Sequence, residues 1–299
     1  MSLESLQVTK KPKKIVLVFN EGKSLSIGFN NTDNISIYSI TNPFNYKPFI
    51  KSLILKHIPN IHIIVSLTNA NVIVQLMKFL YQFQQFSKQL QTEFLTKHKN
   101  FLQNNQEEEL SVRLAIGQCD LPLSFPVTIL LDSTQFSHQN QLSPSTILNQ
   151  QLCRFISLKH GCTVICRSPS NPKIPIEDTV ESLIDFQMPP KPIFDDSATN
   201  DDIQLYIPSS WDSWNKIIVQ GKSIMMNDNN QSSLICDVQQ LEQLNSAYDD
   251  YFNHDDIDVG TVFAQFNKKQ EKEESKKREK LHSLNEILSE IVNPSMVEA

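Results

Sequence analysis

Two Gly-Lys-Ser triplets, Gly22, Lys23, Ser24 and Gly221, Lys222, Ser223, are the residues here whose types point most directly to chemistry. A lysine and a hydroxyl after a glycine can hold a nucleotide's phosphates and its Mg²⁺. That chemistry needs the full Gly-x-x-x-x-Gly-Lys-Ser spacing, so that backbone N–H groups converge on the phosphates where a helix begins. In the place of the first glycine stand Leu17 and Lys216. Leu17 lies inside an apolar run, and no convincing helix follows Ser24, so both triplets read as surface turns. The whole chain holds only 6 glycines, against an average near 7% of residues. Little is left to build a phosphate cradle.

The remaining positions of a nucleotide site fail in the same way. After the apolar run at 127–131, where a guanine-reading Asn-Lys-x-Asp would stand, the residues are Asp132, Ser133, Thr134, Gln135. After the run at 35–40, Thr41, Asn42, Pro43 replace the Asp-x-x-Gly that would sense a γ-phosphate and Mg²⁺. GTP hydrolysis is therefore not expected, and no cofactor is. The 7 histidines lie apart without metal-binding spacing, and a lone His62 on a strand reads as structural. The acidic stretch 255–260 fails as a calcium loop, because counting Gly260 as the sixth position puts Ile257 third, Val259 fifth and Phe266 twelfth. Cys119, Cys153, Cys162, Cys166 and Cys236 form no CxxC pair and read as free thiols, some of them buried. No Gly-x-Ser-x-Gly occurs. Neither a metal nor a catalytic residue is expected.

Whatever the chain does must then rest on its architecture. With 299 residues, a net charge of −6 and a pI near 5.7, it is long enough for a substantial core and too acidic for a general nucleic-acid binder. The longest apolar run, 61–67, falls far short of the ~20 residues that cross a bilayer. The start of the chain does not resemble a signal peptide, so a cytosolic address is expected. Continuous apolar, β-branched runs at 14–19, 35–40, 61–67, 127–131 and 162–166 suit strands buried on both faces. Helical spacing marks 44–57, 143–160 with Gly161 as a stop, and 176–186. An unusually long helical pattern spans 71–103 and reads as a core-facing amphipathic helix. Strands alternating with helices predict an open, mostly parallel α/β sheet.

Beyond Pro192 the character changes. A short extended piece at 203–208 precedes the tryptophan segment 211–219, then a polar region begins at Asn227. The expected division is a flexible N-terminus at 1–13, a domain at 14–226, and a largely flexible tail with helical pieces at 227–299. Trp211 and Trp214 are costly to expose, so they pack back onto the domain, anchor a partner, or do both. Near the end, Leu281, Leu284, Leu288 and Ile291 form one face of a short amphipathic helix that suits docking into a hydrophobic groove. Val262, Phe263 and Phe266 offer an alternative docking stretch. Packing on the domain or a coiled coil stays open for both.

The segment Ile207, Pro208, Ser209, Ser210, Trp211, Asp212, Ser213, Trp214, Asn215, Lys216, Ile217 is similar to the "IPAGWDNDKKI" stretch of cytoplasmic dynein light intermediate chains, with Ser213 and Trp214 departing from it. Residues 112–131 (VRLAIGQCDLPLSFPVTILL) resemble that family's "VLPLG" element before a Pro-led strand, and 152–168 its "FCLQYGAALIYTS" passage. The chain thus resembles a divergent light intermediate chain of the yeast-like fungal type, over about residues 14–225. The resemblance implies a Ras-like, P-loop-NTPase-type fold whose nucleotide site is degenerate, with Gly22, Lys23 and Ser24 as a vestigial loop. It also implies a non-catalytic subunit that binds the dynein heavy-chain tail and presents its C-terminal helix to an adaptor or cargo-recruitment protein. Transport along microtubules and nuclear or spindle positioning would follow, in the cytoplasm and without membrane insertion. A pseudo-GTPase scaffold in membrane traffic and a divergent GTP-binding protein are the alternatives.

Overall fold

A computed structural model describes residues 13–22, 25–31, 35–58, 60–67, 69–83, 117–132, 144–167, 203–209, 211–225, 234–264 and 266. The chain divides into two compact units, 1–217 and 218–299. The first is built on a seven-stranded sheet ordered β2-β3-β1-β4-β5-β6-β7. Its strands are β1 (Lys14–Asn20), β2 (Ser26–Asn31), β3 (Ile35–Thr41), β4 (Ile61–Ser66), β5 (Val127–Asp132), β6 (Thr163–Arg167) and β7 (Ile203–Ile207). Strands β3, β1, β4, β5 and β6 run parallel; β2 and β7 close the two edges antiparallel.

The apolar runs are the strands that lie deepest. Every residue from Ile15 to Phe19 and from Ile61 to Val65 is buried, so both faces of the sheet centre are covered. Three helices connect successive parallel strands: α1 (Lys47–His57) follows β3 after a 3₁₀ turn (Pro43–Tyr46), α2 (Ala70–Tyr81) follows β4, and α3 (Pro144–His160) joins β5 to β6. All three connections step the same way along the sheet, and right-handed crossover therefore puts these helices on one face. Tyr38 of β3 meets Phe49 of α1 edge-on at 5.8 Å, and Phe44 meets Phe79 of α2 at 5.8 Å. On the other face Val16, Val18, Ile35, Ile37, Ile64, Leu130 and Ile165 form one buried cluster.

Helix α3 ends where its sequence says it should. Gly161 takes the left-handed conformation, at φ 70°. Its last carbonyls, which lack intrahelical donors, are met by a neighbouring extended segment: the N–H groups of Cys119, Leu121 and Leu123 donate to Leu158, Lys159 and His160 at 2.7, 3.1 and 3.2 Å. The same segment provides Asp120 for the wholly buried Lys159 at 2.6 Å and a carbonyl, that of Leu121, for His160 Nδ1 at 2.6 Å.

Several expectations need correction. The edge strand β2 has no counterpart among the predicted strands, because SIGFNN is half polar and all six of its residues are exposed. The long pattern from 71 does not continue as one helix: α2 stops at Tyr81, with Phe83 N–H tightening onto Leu80 O at 3.0 Å. Residues 84–103 of that pattern, the helix expected at 176–186, and Leu281, Leu284, Leu288 and Ile291 lie outside the described residues. Gly221, Lys222 and Ser223 are not a turn; they belong to helix α4 (Trp214–Met225).

The second unit contains α5 (Val238–Asn253), one of the helical pieces expected in the tail. Its start is a reciprocal cap: Gln240 N–H donates to Asp237 Oδ1 at 2.7 Å, and Cys236 N–H donates to Gln240 Oε1 at 2.8 Å. Leu241, Leu244, Tyr248 and Tyr251 form its buried stripe. Val262, Phe263 and Phe266 are buried as well, at 1–2% exposure, so they are not a free docking stretch.

His62 shares the cluster face of the sheet, opposite Val16 in register, and hydrogen-bonds to Thr128 Oγ1 at 2.9 Å. Burial, aided by the charge of Lys14, lowers its pKa to about 3. Burial lowers His160 to about 3 too, against the opposing effect of its bond to Leu121. Both groups titrate near 6.5 when unfolded. Between those values the unfolded chain takes up protons that the folded chain refuses, so their contribution is complete above about pH 6.5 and is lost as pH falls toward about 3. The expected urea midpoint declines on acidification through that window. His62→Gln, which keeps a partner for Thr128, makes the decline shallower when denaturation is followed from about pH 7 to about pH 4.5.

Candidate functional site

In an open α/β sheet, ligands bind beyond the carboxyl ends of the strands, where the strand order reverses. Here that point is the end of β1, between β3 and β4. Five residues, 21–25, separate Asn20 from Ser26. Since β2 and β1 flank β3 on opposite sides, this link must cross the carboxyl end of β3, a span of two strand spacings or about 10 Å. Five extended residues reach about 17 Å. They can make the crossing, but not with a phosphate-wrapping loop and a helix as well.

The contacts follow from the crossing. A Cβ added to Gly22 would lie 2.6 Å from Thr41 Cγ2, so glycine is required there by close approach to the end of β3. Asn42, left-handed at φ 54°, donates through its side chain to Gly22 O at 3.1 Å and through its N–H to Asn20 O at 3.3 Å. Asn20 Nδ2 donates to Ser39 Oγ at 2.8 Å. At the start of α2, Asn69 Oδ1 accepts from Asn71 N–H at 2.9 Å, and Asn69 N–H donates to Glu21 Oε1 at 3.4 Å. The helix N-terminus beside the crevice therefore already faces a carboxylate of the chain itself. Gly22 occupies this end of the sheet, while Lys23 and Ser24 lie outside the described residues. The described groups here are amides, hydroxyls and one carboxylate, a poor set for phosphate. Among the described residues no cluster of His, Cys, Asp and Glu could hold a metal ion.

The tryptophan segment forms a second site. After β7, Ser209 Oγ donates to Gly161 O at 2.5 Å, and Trp211 N–H turns back to Pro208 O at 3.1 Å. Asp212 is buried and receives a two-pronged bond from Arg154 of α3, Nε to Oδ2 at 2.6 Å and Nη2 to Oδ1 at 2.7 Å. Ser213 caps α4, its Oγ accepting from Lys216 N–H at 3.3 Å. The Trp214 ring meets that of Phe155 at 5.5 Å, and Gln151 Nε2 donates to Ile217 O at 2.9 Å. Gln151, Arg154 and Phe155 recur at helical spacing, so one face of α3 receives Ile217, Asp212 and Trp214. Trp211 and Trp214 are both half-buried, which leaves each with surface to spare.

Sequence reasoning identified the tryptophans and missed the ion pair that seats them. The signal was present: Arg154 lies between Cys153 and Phe155, among apolar residues at helical spacing, and a buried guanidinium needs a carboxylate.

The mostly parallel strand order, reversing beside β1, defines an α/β protein of Ras-like fold. The structure is similar to the crystal structure of the dynein light intermediate chain's conserved domain, at a TM-score of 0.54 and 17% identity, over 85% of this chain and 97% of that one. No protein-family model matches the sequence, and among curated proteins none matches significantly. The fold is thus that of the light intermediate chain domain.

Breaking the buried pair on one side strands a charge. Arg154→Met is expected to cost about 3–5 kcal/mol in chemical denaturation, whereas Arg154→Met with Asp212→Leu recovers most of the loss. Tryptophan fluorescence reports whether Trp214 leaves its place on Phe155.

Proposed function

We propose that this chain is a non-catalytic accessory subunit of cytoplasmic dynein, of the light intermediate chain type. Its first unit would bind the heavy-chain tail as a pseudo-GTPase domain, and its C-terminal stretch would link the motor to an adaptor or cargo-recruitment protein. The observation that carries this reading is the likeness to the light intermediate chain's conserved domain, which spans nearly all of that domain. Residues 207–217, similar in sequence to a stretch of that family, add support. The five-residue β1–β2 link, too short for a phosphate-wrapping loop followed by a helix, supports a domain that works without nucleotide. Residues 281–291 supply the helix for the adaptor, with Leu281, Leu284, Leu288 and Ile291 as its apolar face. Among the described residues no helix is long and apolar enough to cross a membrane, and a place on microtubules in the cytoplasm accords with the proposed role.

Affinity purification of the full chain from its own cells is expected to recover dynein heavy chain. Coat or tether subunits recovered without any motor chain would overturn the reading. Lys23→Ala leaves motor attachment intact on this account. Leu284→Asp with Leu288→Asp abolishes cargo or cortical recruitment while heavy chain still co-purifies; unchanged recruitment removes the helix from the proposal.

A further inference from the structure

The two edges of the sheet differ. At one, Leu205 and Tyr206 of β7 are partly covered and Ile207 is buried. At the other, every residue of β2 is exposed, and among the described residues no strand lies beyond it. An antiparallel edge strand turns the N–H and C=O groups of every second residue outward, ready to pair with another strand. Proteins usually blunt such an edge with lysine, proline or a bulge. The β2 strand, SIGFNN, has neither residue, and its register with β3 is unbroken from Ser26 to Asn31.

One face of this edge is apolar. Leu25, Ile27 and Phe29 alternate along it and are 59%, 41% and 59% exposed. Ile27 and Phe29 lie opposite Ile40 and Tyr38. The Phe29 ring is 4.9 Å from that of Tyr38, which in turn meets Phe49 of α1, so an aromatic ledge runs beside the open backbone groups. A strand added here needs apolar side chains at two alternate positions, with polar ones between them to match Ser26, Gly28 and Asn30 on the other face.

The course of the chain selects the occupant. Lys13, the residue before β1, donates through Nζ to Asn31 Oδ1 at the end of β2. The amino end of β1 is thus tied to the end of β2 across β3. Just upstream, Ser5, Leu6, Gln7, Val8 and Thr9 carry the required pattern, with Leu6 and Val8 the apolar pair. The outer side of β2 lies three strand spacings from β1, about 14 Å. From Val8 to Lys14 an extended chain reaches about 20 Å, enough to skirt the turn between β2 and β3 as well. Pro12, which has no N–H to leave unpaired, falls in that link. A tether this short holds the segment at an effective concentration of roughly millimolar order, ahead of a dilute competitor.

We propose that residues 5–9 of this chain add to β2 as an eighth strand, parallel to it, and seat Leu6 and Val8 on Ile27 and Phe29. The outward groups of β2 then pair with the segment that leads into β1, and the exposed ledge is covered from within the molecule. On this account the stretch 1–13, expected from sequence to be flexible, holds a fixed strand. The proposal does not depend on the motor role.

Amide hydrogen exchange on the full chain in dilute solution tests it. Slow exchange is expected at 5–9 and at 26–31. Deleting residues 2–9 should speed the outward-facing amides of 26–31 by roughly tenfold or more, and a synthetic peptide of residues 2–12 added to that variant should restore their protection. Leu6→Asp with Val8→Asp should act like the deletion, and keeps the test valid if the shortened chain folds poorly. From the other side, Phe29→Glu, at an exposed position, should release 5–9. Exchange at 26–31 that is the same with and without residues 2–9, or fast exchange at 5–9 in the unaltered chain, overturns the proposal. Protection of β2 that disappears on further dilution also overturns it, in favour of a second copy as occupant.

Discussion

The shortness of the link between β1 and β2 governs the rest of the molecule. The five residues from the end of β1 to the start of β2 must get from one side of β3 to the other at its carboxyl end. There Gly22 lies against Thr41, and hydrogen bonds from left-handed Asn42 to Gly22 O and Asn20 O and from Asn20 to Ser39 tie the ends of β1 and β3 together. These contacts lie at the reversal of strand order, where this class of sheet exposes its backbone to ligands. Two antiparallel strands, β2 and β7, form the edges of the sheet.

At the other end of the sheet order, helix α3 organises the structure. Buried almost all round from Gln150 to His160, it must satisfy every polar group it carries inward. Its last carbonyls take backbone donors from 119–123, Lys159 takes Asp120, and Arg154 takes Asp212. This accounts physically for two of the stretches that resemble a light intermediate chain. The passage before β5 seals the end of α3, and the tryptophan segment after β7 seals its side.

Much of this was legible in the sequence, for a definite reason. Strands buried on both faces must be continuously apolar, so β1, β4, β5 and β6 announce themselves, and Gly161 marks the only turn that ends α3 with a left-handed residue. The edge strand β2 was hidden because nothing covers it: with no face to bury, its sequence carries no pattern. The end of α2 was hidden because apolar spacing continues past Tyr81 while the backbone turns. Gly221 misled because a Gly-Lys-Ser triplet suggests a turn, yet α4 passes straight through it. The Arg154–Asp212 pair joins residues far apart in the chain, which no local pattern can reveal.

The proposed pseudo-GTPase role requires that the carboxyl ends of the strands hold no guanine nucleotide. Calorimetric titration of the purified full chain with GTP and with GDP, each in the presence of Mg²⁺, addresses it directly. The account predicts no saturable binding of either nucleotide. Stoichiometric, Mg²⁺-dependent uptake that Lys23→Ala abolishes would contradict it.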